Sequence, residues 1–249
     1  ALYVSFFPQL VAGPIERAGN LLPQLHQKHD PDRAAFSAGL RKICVGMFKK
    51  VAIADFVATY VNNVYNDLAG KGGLTLILAT LLFSVQIYCD FSGYSDIAVG
   101  SARLLGIDLM ENFRSPYMAR SVKDFWRRWH ISLTRWFTDY VYIPLGGSRC
   151  SRWRHLRNLA VTFLLSGLWH GASWTFVLWG LYHGLWLCAE TFYLPQIEAL
   201  QNRLTGGRGA AFATLRTVVT CCIVGFGWIF FRANDLSDLL YVLTHLGQG

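Results

Sequence analysis

Phe125-Trp126-Arg127-Arg128-Trp129-His130-Ile131-Ser132-Leu133 opens a stretch that runs on through Asp139-Tyr140-Val141-Tyr142-Ile143-Pro144-Leu145-Gly146-Gly147 and closes with Leu168-Trp169-His170-Gly171. Two histidines, each preceded by a tryptophan, bracket the most basic part of the chain. His170 also lies in a run, Asn158 to Ala189, that contains no Lys, Arg, Asp or Glu. A helix of ~20 mainly apolar residues spans a bilayer. A titratable side chain inside such a run is costly and needs a functional or structural reason.

The rest of the composition agrees with a membrane setting. The 249-residue chain is 53% hydrophobic and 15% charged, with mean hydropathy +0.30, whereas a soluble domain carries about 25% charged residues. Two further uncharged runs, Gly72 to Cys89 and Thr217 to Phe231, reach spanning length with their polar flanks. The predicted class is all-α and polytopic. The net charge of +8 is local: Arg103 to Arg157 holds eleven Lys and Arg against four acidic residues. A basic segment with interleaved Trp suits nucleic acid, but between apolar runs it reads as a cytoplasmic loop. The lipid bilayer, and not nucleic acid, is therefore the expected partner. Six cysteines form no C-x-x-C pair and several lie in apolar runs; they read as small hydrophobes, with neither a disulfide framework nor a metal site expected. The chain begins at Ala1 without a signal signature and stops at Gly249 soon after a new helical pattern starts at Leu236. It reads as part of a longer protein lacking its N-terminal region.

In order, residues 1–25 carry Pro8, Gly13 and Pro14 and predict the end of a membrane segment followed by a loop, either a plain connection or one lining a site. Residues 26–33 predict an exposed turn, in which the i, i+3 pair His26 and His29 has no evident third ligand. Ala34 to about Asn66 predicts a helix with Arg41, Lys42, Lys49 and Lys50 near one end, at the interface. Leu74 to about Leu105 predicts one long helix whose second half turns polar through Gln86, Asp90, Ser92 and Asp96. Those carboxylates are expected to face an interior, either capping a neighbouring segment or taking part in chemistry. Ser121 to Asp124 is a capping-box-like start for a helix from about Val122 to Tyr140. Trp126, Trp129, Leu133, Trp136, Phe137 and Tyr140 form its apolar stripe, predicting a helix on the interface. An arginine loop (Arg149, Arg152, Arg154, Arg157) follows. Asn158 to Gly171 and Ser173 to Glu190 then predict a short and a full membrane helix. Residues 191–214 predict a polar loop, and Leu215 to Phe231 a last span.

Familiar soluble chemistry is not supported. There is no G-x-S-x-G elbow and no G-x-x-x-x-G-K-[ST] loop. A His with an Asp five residues on fails at both His130 and His170. Two readings of an embedded histidine stand: a polar residue bonded to a backbone carbonyl, or a general base, since imidazole exchanges a proton near neutral pH.

Phe6-Phe7-Pro8-Gln9-Leu10-Val11-Ala12-Gly13-Pro14-Ile15, Cys89-Asp90-Phe91-Ser92-Gly93-Tyr94-Ser95-Asp96, Phe125 to Leu133 and Leu168 to Gly171 together resemble the membrane-bound O-acyltransferase (MBOAT) family. Tyr142 to Gly147 and Gly227-Trp228-Ile229-Phe230-Phe231-Arg232 resemble most its alginate O-acetyltransferase branch, with the teichoic acid D-alanyl transferases more distant. The resemblance implies one membrane domain over residues 1–249, lacking the N-terminal spans: a multi-helix bundle with interfacial and re-entrant helices around a tunnel. It implies a multi-pass protein of the bacterial cytoplasmic (inner) membrane. His170 would be catalytic and His130 part of the active centre. Arg127, Arg128, Trp129, Trp169, Asp90 and Asp96 would be substrate-binding. No cofactor or metal is expected to be bound; acetyl-CoA, or another acyl-CoA, is the expected donor substrate. A periplasmic or membrane-anchored acceptor protein of a polysaccharide-modification complex is the expected partner. A proton-coupled transporter or pore component, with Asp90 and Asp96 along its path, is the alternative, and a catalytically inactive scaffold a third.

Overall fold

The computed structural model describes residues 2–30, 32–205 and 209–248, and all of their regular structure is helical. The helices are α1 (Leu2–Ser5), α2 (Ala18–His26), α3 (Arg33–Met47), α4 (Asp55–Tyr65), α5 (Gly73–Leu104), α6 (Val122–Trp126), α7 (Ile131–Phe137), α8 (Arg152–His170), α9 (Trp174–Thr205), α10 (Ala210–Arg232) and α11 (Leu236–His245). The pattern-based helices over 34–66 and 74–105 are found. The first carries a π-helical stretch, Phe48–Ala54, between α3 and α4.

Two helices, α5 and α10, are long and apolar enough to cross a membrane. Their outward residues are apolar: Leu74, Ile77, Leu78 and Leu81 on α5, and Leu215, Val218 and Val219 on α10 are all exposed. Such faces suit lipid rather than water. The core between these helices is aromatic. Trp179 and Trp228 are 1% exposed and stack at 6.4 Å. Phe125 and Trp129 pack onto the Trp228 ring.

Several boundaries differ from the sequence reading. The arginines at 152, 154 and 157 belong to the first turns of α8 rather than to a loop, because Arg is a good helix former and the apolar periodicity continues through Leu156 and Leu159. Likewise the polar stretch after Glu190 stays helical to Thr205 and accommodates Pro195; Gln, Glu, Ala and Leu there favour helix once α9 has been nucleated. The loop expected at Gly206, Gly207 and Arg208 lies outside the described residues. α2 was not anticipated, since Gly19 and Pro23 mask its pattern.

The largest difference concerns the helix expected from Val122 to Tyr140. It is broken. α6 ends at Trp126, α7 starts at Ile131, and His130 between them is left-handed, with φ 42° and ψ 55°. The apolar stripe is divided: Trp126, Trp129, Leu133 and Phe137 are buried in the protein, while Trp136 and Tyr140, expected on the same stripe, are exposed.

Candidate active site

The break at His130 follows from hydrogen bonds arriving from outside the segment. Ser121 caps α6 by accepting from the Asp124 N–H at 3.0 Å, and Asp124 in turn accepts from the Arg120 N–H. The α6 ladder stops because residues 112–114 run alongside. Arg114 N–H donates to the Arg128 carbonyl, and Ile131 N–H donates to the Asn112 carbonyl, each at 3.0 Å. A non-glycine residue in the left-handed region is strained by roughly 1–3 kcal/mol and persists only when its surroundings over-determine it.

His130 thereby lines a cavity of about 1380 Å³ that His170 lines as well. His170 is the last residue of α8. Its ring is held edge-on by Trp179 at 5.0 Å and Phe231 at 5.1 Å. His130 meets the edge of Phe91 at 4.5 Å. The half-exposed Trp169 links the two, 6.4 Å from the His130 ring and 4.9 Å from His170. Neither imidazole makes a side-chain hydrogen bond among the described residues. The reading of a histidine satisfied by a backbone carbonyl therefore does not describe them; both ring edges face aromatic walls and the cavity. His130 lies outside the spanning helices, and burial, with His170 adding to it, pushes its pKa down to about 3. The imidazole is therefore neutral near pH 7, with burial the main cause.

The other expected residues divide into two groups. Arg127, Arg128 and Trp129 line the cavity. Arg128 is tied to Asp124 at 2.9 Å, Trp129 is a core residue stacked on Phe125, and Arg127 is exposed. Asp90 and Asp96 do not reach the cavity. Asp96 pairs with Lys42 at 3.3 Å and Lys49 at 2.6 Å, and Asp90 with Lys50 at 2.9 Å. They face the helix α3–α4, because the π-helical stretch swings Lys49 and Lys50 towards α5. Those lysines, expected at a membrane interface, therefore sit mid-helix as partners for carboxylates. Both aspartates pair with lysines of a neighbouring segment, and neither lines the cavity. His26 and His29 are exposed, and each bonds a backbone carbonyl of α2.

Three residues of the site region were not singled out from sequence. Asn112 carries no sequence signal of its own. Glu190 is 3% exposed on α9, and the signal for it was present: it is the carboxylate that ends the uncharged run. His183 lies in that run too. It is fully buried, neither ring nitrogen has a partner, and Trp126 and Trp179 close over it. The N-terminal Phe6–Ile15 loop does not line the cavity. It braces the break, since Ile15 N–H donates to Ser132 Oγ at 3.0 Å. The buried Glu16 accepts from the Met110 N–H and from Asn20.

The fold thus combines apolar outer faces, suited to lipid, with two histidines that have no hydrogen-bond partner among the described residues and line one cavity. The family model described as MBOAT, membrane-bound O-acyltransferase family, matches residues 1–225. The chain belongs to that family. It is 41% identical over 238 residues to the probable alginate O-acetylase AlgI of Azotobacter vinelandii, covering 95% of this chain and 45% of that protein. It is 39% identical over 245 residues to the peptidoglycan O-acetyltransferase of Helicobacter pylori, covering 98% and 45%. It is also 31% identical over 183 residues to the teichoic acid D-alanyltransferase of Bacillus subtilis, covering 68% and 45%. The chain thus spans less than half the length of these relatives.

Proposed function

We propose that this chain carries the reaction centre of a multi-pass O-acyltransferase of the bacterial cytoplasmic membrane, which moves acetyl from acetyl-CoA towards an exported polysaccharide such as alginate. The observation that carries the reading is the pair of imidazoles, His130 and His170, on one cavity with no side-chain hydrogen bond among the described residues. The likeness to an alginate O-acetylase and a peptidoglycan O-acetyltransferase supports the reaction class.

In this mechanism His170 takes the proton of the attacking hydroxyl. The oxygen bonds to the thioester carbonyl carbon, the carbon–sulfur bond breaks, and the proton passes to the departing thiolate. A neutral imidazole without a competing partner is suited to that work. His130 orients the reactants across the cavity. Arg120, Lys123 and Arg127 line the same cavity and have no ion-pair partner among the described residues. They supply positive charge for a donor rich in phosphate. A membrane-anchored or periplasmic acceptor protein receives the acetyl group.

The test is His170→Ala in the full-length protein. Expression and membrane insertion should persist while acetylation falls by on the order of 10²–10⁴-fold, the usual contribution of a general base. Retained acetylation removes His170 from the chemistry.

A further inference from the structure

We infer that Asn112 and Glu190 are positioning residues that hold the α6–His130–α7 elbow from both ends, and so set where the His130 imidazole enters the cavity. The inference rests on the proposed role of His130. Both side chains act as helix caps supplied from elsewhere in the chain.

At the first end, Glu190 on α9 accepts from the Val122 N–H at 2.6 Å and the Lys123 N–H at 2.8 Å, one bond to each carboxylate oxygen. These are the first two residues of α6, whose N–H groups have no partner within the helix. A carboxylate there matches the partial positive charge of a helix start. At the other end, Asn112 is 1% exposed. Its carbonyl accepts from Ile131 N–H. Its side-chain Oδ1 accepts from Ser132 N–H at 3.2 Å and Ser132 Oγ–H at 2.6 Å. Its Nδ2 donates to Ser95 on α5 at 3.3 Å. His130 lies between the two caps, in a conformation its own side chain disfavours. α9 also presents Trp179 to His170, so one helix sets the position of both histidines.

The test uses the full-length membrane protein with Asn112→Ala, Asn112→Asp and Glu190→Gln, and two readouts. One is acetyl-transfer kinetics. The other is the rate at which diethyl pyrocarbonate modifies His130, located by mass spectrometry, which does not depend on activity. Asn112→Ala and Glu190→Gln should lower kcat by about 10²-fold, the cost of a small misplacement of a reacting group, with KM little changed. His130 modification should accelerate. Asn112→Asp keeps the acceptor oxygen and should retain most of the activity. Unchanged His130 modification in inserted Asn112→Ala and Glu190→Gln proteins would overturn the inference. If Asn112→Ala fails to insert, an Asn112→Asp protein that inserts but is as impaired as Glu190→Gln overturns it too, because the acceptor oxygen would then not be what matters. Faster modification with unchanged kcat leaves the positioning intact and removes His130 from the chemistry instead.

Discussion

His130 is buried, unpartnered and neutral. Its pKa in the folded protein is depressed to about 3 from an ordinary value near 6.5. Between those two values the unfolded chain binds a proton that the folded chain does not. Stability is therefore complete above about pH 6.5 and is lost as pH falls towards 3, with a slope of up to about 1.4 kcal/mol per pH unit from this residue. Thermal inactivation in detergent, followed from pH 7.5 to 4.5, should show a falling midpoint, and His130→Gln should flatten that dependence. His183 makes a second residue-scale prediction. A Cβ at Gly227 would lie 2.6 Å from His183 Nε2 and 3.2 Å from Tyr182. Gly227→Ala is expected to cost about 1–3 kcal/mol through overpacking. Adding His183→Ala should recover part of that loss, because the added methyl then has space; a double variant no more stable than Gly227→Ala would contradict the contact. Sequence reading located His130 and His170 because a titratable residue beside or inside an apolar run is conspicuous. It passed over His183 although the same signal was there.

At the scale of helices, α3 and α5 meet through glycine. A Cβ at Gly39 would come 2.9 Å from the Gly100 carbonyl, and one at Gly46 would come 2.5 Å from that of Gly93. Small residues that let two backbones approach this closely are a common means of joining helices in a membrane. Gly93 and Asp96 belong to the same short motif, so the motif builds the crossing. Asp96→Asn would leave Lys49 largely buried without its carboxylate, while Lys42 keeps Glu111 at 3.4 Å. A loss of roughly 1–3 kcal/mol is expected from an uncompensated charged group, seen as a lower unfolding midpoint in detergent. Since Asp96 itself does not line the cavity, KM for the donor should hardly change. The long helices were legible from periodicity alone. The break between α6 and α7 was not, because the capping signal at Ser121 and the apolar stripe beyond it are both consistent with an unbroken helix.

Across the whole molecule, apolar side chains face outward on α5 and α10 while aromatic rings fill the interior around one large cavity. Arg120, Lys123 and Arg127 line it with no ion pair among the described residues, and such positive charge on a cavity draws an anionic ligand. Replacing Arg127 by Ala should raise KM for acetyl-CoA by about tenfold, the worth of one charge-assisted hydrogen bond, and leave kcat nearly unchanged. The difference between variant and parent should shrink as salt rises, since exposed charges are screened over about 10 Å at 0.1 M.

By itself the sequence determined the helical, membrane-facing character of the chain and singled out the two histidines. Apolar periodicity and the rarity of charge are local properties, and they survive without any knowledge of neighbours. Only the tertiary structure decided that His130 sits in a strained elbow, that Asp90 and Asp96 pair with lysines of the α3–α4 segment, and that Asn112 and Glu190 hold the elbow. Each of those outcomes depends on hydrogen bonds or ion pairs between residues far apart along the chain, such as Val122 with Glu190. The free energy of such a contact is set by geometry that no window of neighbouring residues contains.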